Sequence, residues 1–258
     1  MKKFITALTS NVSLYIFGIF FVFAIWYVIS ISQGYGNLVF PNPFDTFKET
    51  GNLLSRAYIY KCIGWSALRT LIGFSISFVA AFILGILAGL YPKLLTFLKP
   101  LMIVLKSAPT AAFVFLFLIL SGSRFAPVYI VIILAFPILY ESVVGGIRSI
   151  TPEINNALKV DSGRFFYTLI KVKIPLSFRY IAVGLASSFA LSFKTSIMAE
   201  IVAGDTNYGL GSAITSYRSM DPTNLVPIFA ITLIAIVIIL FVDLLSTFVK
   251  VKIGNPDR

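Results

Sequence analysis

The sequence predicts an all-α integral membrane protein with six transmembrane helices. Three observations carry that expectation: 58% of the 258 residues are hydrophobic, 12% are charged, and the mean hydropathy is +0.94. A soluble domain carries roughly 25% charged residues, so this chain lacks the polar surface to face water on all sides. It has no histidine and one cysteine, Cys62, which excludes His-dependent triads, His-based zinc sites and an intrachain disulfide. No catalytic residue and no metal site is expected. A net charge of +11 is of the kind nucleic-acid binders carry. Here the basic residues are scattered between apolar runs, so orientation in a membrane explains them better and nucleic acid is not an expected partner. The chain reads as a single domain, residues 1–258.

In chain order, a basic start at Met1–Lys3 precedes an apolar run over residues 13–31 that carries Phe17, Phe20, Phe21, Phe23, Trp26 and Tyr27. The run exceeds the roughly 7–15 residues of a signal-peptide core and fits a retained first span. Gly34, Gly36, Pro41 and Pro43 mark irregular chain, after which Asp45 is expected to cap a short amphipathic helix through Leu54. The second span covers about residues 66–90, and Gly73, Gly85, Gly89, Ala80, Ala81 and Ala88 predict that it packs closely inside the bundle. Tyr91-Pro92-Lys93 reads as a tight turn. A third span over about 97–120, interrupted by Pro100 and Pro109, and a fourth over about 126–147, interrupted by Pro137, follow. The fifth span covers about 178–203 and the sixth about 226–250.

Between the fourth and fifth spans lies the longest polar interval of the chain, about residues 150–175. Ala157, Leu158, Phe165, Phe166, Leu169, Ile170 and Ile174 recur at the spacing of one helical face, with Lys159, Arg164, Lys171 and Lys173 interleaved. This predicts an amphipathic helical element closed by Pro175. A basic loop resting on the membrane surface has the same pattern. With the N-terminus inside, thirteen basic residues, among them Lys93, Arg148, Lys171 and Lys250, fall at or near the cytoplasm, against Lys48, Arg56, Lys61, Arg124 and Arg218 outside. The asymmetry predicts a multi-pass protein with both termini and the 150–175 loop in the cytoplasm.

The interval resembles the cytoplasmic loop of ABC importer permeases, whose pattern is Glu-Ala-Ala, three residues, Gly, nine residues, Ile-x-Leu-Pro. Anchored on Pro175, Ala157 and Leu158 fall on the two alanines, Asn156 on the Glu and Ser162 on the Gly, with Gly163 one place late. Phe40-Pro41-Asn42-Pro43, Lys106-Ser107-Ala108-Pro109, Phe136-Pro137-Ile138-Leu139, Gly145 to Ile150, Ala199 to Gly204 and Tyr208-Gly209-Leu210-Gly211 are similar, in order and spacing, to motifs of the nitrate, sulfonate and taurine branch. The resemblance implies a type I ABC importer permease-like bundle in a bacterial-type inner membrane, working as a homodimer, with a cytoplasmic coupling helix for an ABC ATPase dimer and an extracytoplasmic binding protein that delivers the solute. Asn156, Ala157, Leu158, Ser162, Gly163 and Pro175 are the implied ATPase-coupling residues, with Phe165 and Phe166 packing the element back onto its own bundle. The chain has no G-x-x-x-x-G-K-[ST] sequence, so it is not expected to bind ATP. ATP and Mg belong on the partner.

Ionisable residues inside spans are costly and functional by default. Lys106, Lys194 and Glu200 stand out, with Arg69 and Glu141 expected to snorkel to the outer and inner interfaces. Lys194 and Glu200 are six residues apart, about 240° around a helix, and cannot pair with each other. A cationic Lys106 or Lys194 would suit an anionic solute, and each is equally open to neutralisation by Glu141 or Glu200. Lys106, Pro109, Lys194, Glu200, Gly209 and Gly211 are the candidate residues of a translocation path or gate. The turn from Asn207 to Gly211, ahead of a short helix over residues 212–217, reads as an outer gate or as an ordinary connection. The leading function is the transmembrane subunit of an ATP-driven importer of a sulfonate-, nitrate- or taurine-like solute. Import of a vitamin precursor, such as a thiamine pyrimidine or riboflavin, is the alternative on substrate. A stand-alone carrier or channel, or a membrane enzyme with a Ser–Lys pair, is the alternative on class.

Overall fold

The computed structural model describes residues 11–32, 40–160, 165–204 and 207–254, and every described regular element is helical. The elements are α1 (Asn11–Ser32), α2 (Pro43–Leu54), α3 (Ala57–Leu90), α4 (Pro92–Ser107), α5 (Thr110–Arg148), α6 (Pro152–Val160) and α7 (Phe165–Thr168). A π-turn at Leu169–Lys173 leads into α8 (Ile174–Ala203), followed by α9 (Leu210–Met220) and α10 (Val226–Gly254). Five helical stretches among the described residues are long and apolar enough to cross a membrane: Ser13–Ser32, Ala57–Leu90, Thr110–Arg148, Phe165–Ala203 and Val226–Phe248. The chain divides into two compact units, Met1–Tyr60 with Ile214–Ile234, and Lys61–Ala213 with Ala235–Arg258.

In the first unit, α2 opens on Asn42, whose Oδ1 accepts the Phe44 N–H at 2.9 Å, with Pro43 in the first turn where its missing N–H costs nothing. Asn42 therefore takes the capping role expected of Asp45, which lies inside the first turn and complements the helix dipole. Trp26 of α1 donates to the Pro41 carbonyl at 3.0 Å, and Phe23 and Tyr27 meet Phe44 edge to face. These contacts tie α2 to the end of α1.

The second unit is built on close helix approaches. A Cβ on Gly73 would lie 2.9 Å from Val131, one on Gly85 2.8 Å from Val143, and one on Gly89 2.7 Å from Ile147. The partners advance together, so α3 and the later part of α5 run parallel, as small residues permit in lipid. Gly146 meets Ser177, and Gly184 meets Ser142, which makes α8 antiparallel to α5. Ser177, Ser188 and Ser192 are buried in that seam and donate to the carbonyls four residues back.

The third and fourth spans differ from expectation. Pro109 forces Ala108 into extended backbone, so the helix ends at Ser107. The next helix runs from Thr110 to Arg148 with a reversal at Gly122, whose φ is +73°. Phe117 stacks on Tyr129 at 5.5 Å and Val114 clusters with Ile130, so the two segments of α5 fold back on one another. Leu98 and Met102 of α4 pack with Leu139, Tyr140 and Val144. Pro100 and Pro137 lie within helices that continue past them.

The cytoplasmic-loop prediction is also corrected. The amphipathic element is split into α6 and α7, and Pro175 does not close it: the proline sits in the first turn of α8, a position that needs no N–H. Phe165 and Phe166 are 52% and 72% exposed and meet each other edge to face at 5.6 Å, so they are not buried back onto the bundle.

Candidate functional site

Lys106 occupies the last turn of α4, where a cation complements the helix C-terminus. Its Nζ lies 2.8 and 2.7 Å from the two carboxylate oxygens of Glu141 on α5. The even choice between path lining and neutralisation thus resolves, for Lys106, into a pair with Glu141, and Glu141 is engaged where snorkelling was expected. Glu141 lies seven residues from Arg148, about 10 Å along the helix, and Lys106 about 21 Å from Pro92. Both side chains are about half exposed, 47% and 52%. An ion pair half exposed beside apolar helices is costly against lipid, so it fits a surface that water reaches or a partner covers. Pro109 lies three residues on, exposed, at the break between α4 and α5.

Lys194 on α8 is exposed and has no ion-pair or hydrogen-bond partner among the described residues. Asp243 on α10 is a further exposed carboxylate in an apolar helix that the sequence reading passed over.

Glu200 near the end of α8 is fully buried and belongs to a different constellation. Its Oε1 accepts from Arg69 Nη1 at 2.9 Å, and its Oε2 accepts from Ser66 Oγ at 2.7 Å and from the Gly211 N–H at 3.1 Å. Ser66 Oγ accepts the Leu210 N–H at 2.9 Å, and Arg69 also donates to the Tyr208 carbonyl at 2.6 Å. Arg69 is 5% exposed, which overturns its expected snorkelling; Trp65 lies beneath its guanidinium at 5.6 Å. Lys61 stands over the Tyr208 ring at 5.8 Å. A Cβ on Gly209 would meet Glu200 Oε2 at 2.6 Å, and one on Gly211 would meet the Ile197 carbonyl and Glu200 Cβ. Sequence reasoning found Glu200, Gly209 and Gly211 and named Tyr208 as part of the turn, but missed Ser66 and misplaced Arg69. The available signal was that Ser66 and Arg69, three apart, share one helical face.

On α6, Asn156 and Ala157 are exposed, Leu158 is half-buried, and Ile154 is exposed beside them. Asn155 anchors the helix start by donating to the Ile150 and Thr151 carbonyls. The Glu153 carboxyl is held below its usual range by its own backbone N–H and by the Thr151 hydroxyl. Ser162 and Gly163 lie outside the described residues, and Pro175 is exposed. No group of three or more Cys, Asp or Glu side chains among the described residues could hold a metal ion.

Comparison with known proteins gives a consistent answer. The family described as binding-protein-dependent transport system inner membrane component matches residues 81–254. The putative aliphatic sulfonates transport permease protein SsuC of Bacillus subtilis is 25% identical over 207 residues, covering 79% of this chain and 73% of the relative. The bicarbonate transport system permease protein CmpB of Synechococcus elongatus is 30% identical over 198 residues, covering 72% of this chain and 70% of the relative. Among solved structures, an amino acid ABC transporter with histidines superimposes with a TM-score of 0.61 at 17% identity, over 76% of this chain and 93% of its own. That likeness is one of fold.

Proposed function

The chain belongs to the family of binding-protein-dependent transport system inner membrane components, the permeases of ABC importers in the nitrate, sulfonate and bicarbonate branch, and on that premise we propose that it forms the path for a small anionic solute. Its relatives are transport permeases and not enzymes, which replaces the carrier and enzyme readings. The observation that carries the path is the half-exposed Lys106–Glu141 pair between apolar helices, with Lys194, which has no ion-pair partner among the described residues, as the further cation. Because Glu141 already neutralises Lys106, attraction of an anion falls to Lys194. The neutralised pair also favours a second reading, a dipolar solute of the vitamin-precursor kind that offers both a donor and an acceptor.

The remaining assignments belong to the same proposal. The chain crosses six times, with α4 and the first segment of α5 as a broken third crossing; the parallel course of α3 and the later part of α5 supports this, since the chain between them must return across the membrane. Both termini then lie in the cytoplasm, as the basic residues suggest. Two copies assemble around the path. A separate ATPase dimer, which binds ATP and Mg, docks on α6 through Asn156, Ala157 and Leu158, in the manner of an amphipathic helix in a groove, with Ser162, Gly163 and Pro175 completing the loop. An extracytoplasmic binding protein delivers the solute at the face carrying Gly209 and Gly211.

Uptake into membrane vesicles by the assembled transporter tests the path. Lys194→Met is expected to raise the apparent KM for an anionic solute, and Lys106→Met to alter the range of solutes accepted. Unchanged KM and substrate range in both variants, after correction for folded protein, overturns the assignment.

A further inference from the structure

We propose that Glu200 welds the extracytoplasmic turn 207–211 and the first turn of α9 to α8, so that this gate segment moves with α8 as one rigid body and does not open by local release. The inference deepens the gate reading of Gly209 and Gly211 and rests on it. The chain leaves α8 at Gly204, where φ is +76°, yet residues 208–211 return onto the last turns of the same helix. What brings them back is the carboxylate, which takes the Gly211 N–H directly and holds the Leu210 N–H through Ser66, while Arg69 holds the Tyr208 carbonyl. No fully buried side-chain nitrogen or oxygen of Ser66, Arg69 or Glu200 lacks a hydrogen-bond partner, and the two glycines leave no space for a side chain between backbone and carboxylate.

Opening at this point would take the Gly211 N–H from the Glu200 carboxylate, the Leu210 N–H from Ser66 and the Tyr208 carbonyl from Arg69, leaving charged groups that are buried short of partners. Motion of α8 together with α3, which carries Ser66 and Arg69, keeps the turn bonded and the ion pair intact. Helix α8 has 30 residues, about 45 Å of continuous rod, and follows directly on the π-turn that joins it to α7 and the 150–175 loop. A displacement of the loop is thereby delivered to the turn at the opposite end, with Ser66 and Arg69 as positioning residues.

Hydrogen–deuterium exchange on the full-length chain in lipid nanodiscs tests the weld without knowledge of the solute. In the wild type, amides 209–213 are expected to exchange within about tenfold of amides 195–200, the spread ordinary within one cooperative unit. Glu200→Gln, which removes a charged acceptor, is expected to raise exchange at 209–213 by about tenfold or more, with residues 181–197 unchanged. Ser66→Ala, which leaves the ion pair whole, gives a smaller rise confined to the same amides and carries the test if Glu200→Gln fails to insert. The weld is overturned if wild-type amides 209–213 exchange far faster than α8, if the variants raise exchange equally along α8, or if nothing changes. Cross-linking from Tyr208 to a loaded binding protein tests the gate reading separately: its failure with the exchange pattern intact leaves a weld that serves no gate.

Discussion

At the scale of single residues, burial decides how much each charge matters. Arg69→Met leaves the Glu200 carboxylate buried without its cation, and is expected to destabilise the folded chain by about 3–5 kcal/mol in thermal or denaturant unfolding in detergent. Adding Glu200→Gln to that variant should recover part of the loss, because no charge is then stranded. A cost of the double variant equal to the sum of the singles would contradict the pairing. The Lys106–Glu141 pair is half exposed, so Lys106→Met is expected to change stability by less than about 1 kcal/mol and to act on transport instead. The glycines divide in the same way. Gly211→Ala drives a Cβ into the backbone of α8 and is expected to cost about 1–3 kcal/mol, whereas Gly145→Ala meets nothing within 4 Å in a helix and should be neutral or slightly stabilising.

Among the elements, the reversal inside α5 depends on one backbone conformation. Gly122 has open space around it but a φ of +73° with a ψ of 171°, a region essentially confined to glycine, so Gly122→Ala acts through the backbone alone and is expected to cost about 1–3 kcal/mol, with Gly122→Asn no milder. An unfolding midpoint that does not move in Gly122→Ala would argue against the reversal. Helix α6 presents Ile154, Asn156 and Ala157 outward. Ala157→Arg is expected to lose co-purification with the ATPase while the permease still inserts, and normal stoichiometry together with normal transport would remove α6 from the docking role. The lowered Glu153 pKa has a definite sign. The contribution of that carboxylate to α6 is complete above the ordinary carboxylate range and is lost as pH falls through the lowered folded value.

For the whole molecule, the parity of crossings follows from α4 and the first segment of α5. If they form one broken crossing, reporters fused at residue 91 and at residue 122 should lie on opposite faces of the membrane, the first in the cytoplasm and the second outside. Both reporters on one face would leave the chain with five crossings and reverse the direction in which α8 carries motion. None of the hydrophobic window of α1 is buried within its own chain. An all-apolar helix in lipid needs no partner to be stable, so this exposure is compatible with membrane insertion as it stands.

Much of this was legible in the residues themselves. Membrane class, the long apolar runs and the charge asymmetry depend only on composition and on neighbours within a turn or two, and the order of short motifs from Phe40 to Gly211 placed the chain in its family. Pro109 marked a break whose effect on Ala108 is local, although the reading took it as an interruption within a span. What the sequence could not decide is which charge meets which. Lys106 finds Glu141 across 35 residues, and Arg69 finds Glu200 across 131. Those choices follow from the glycine-lined approach of α3 to α5 and the antiparallel course of α5 and α8, which bring faces together that periodicity can describe only one helix at a time. Pro175 and Arg69 were misjudged for that same reason: a proline reads as an end until the helix it begins is known, and an arginine near a span's end reads as free until the carboxylate buried against it is seen.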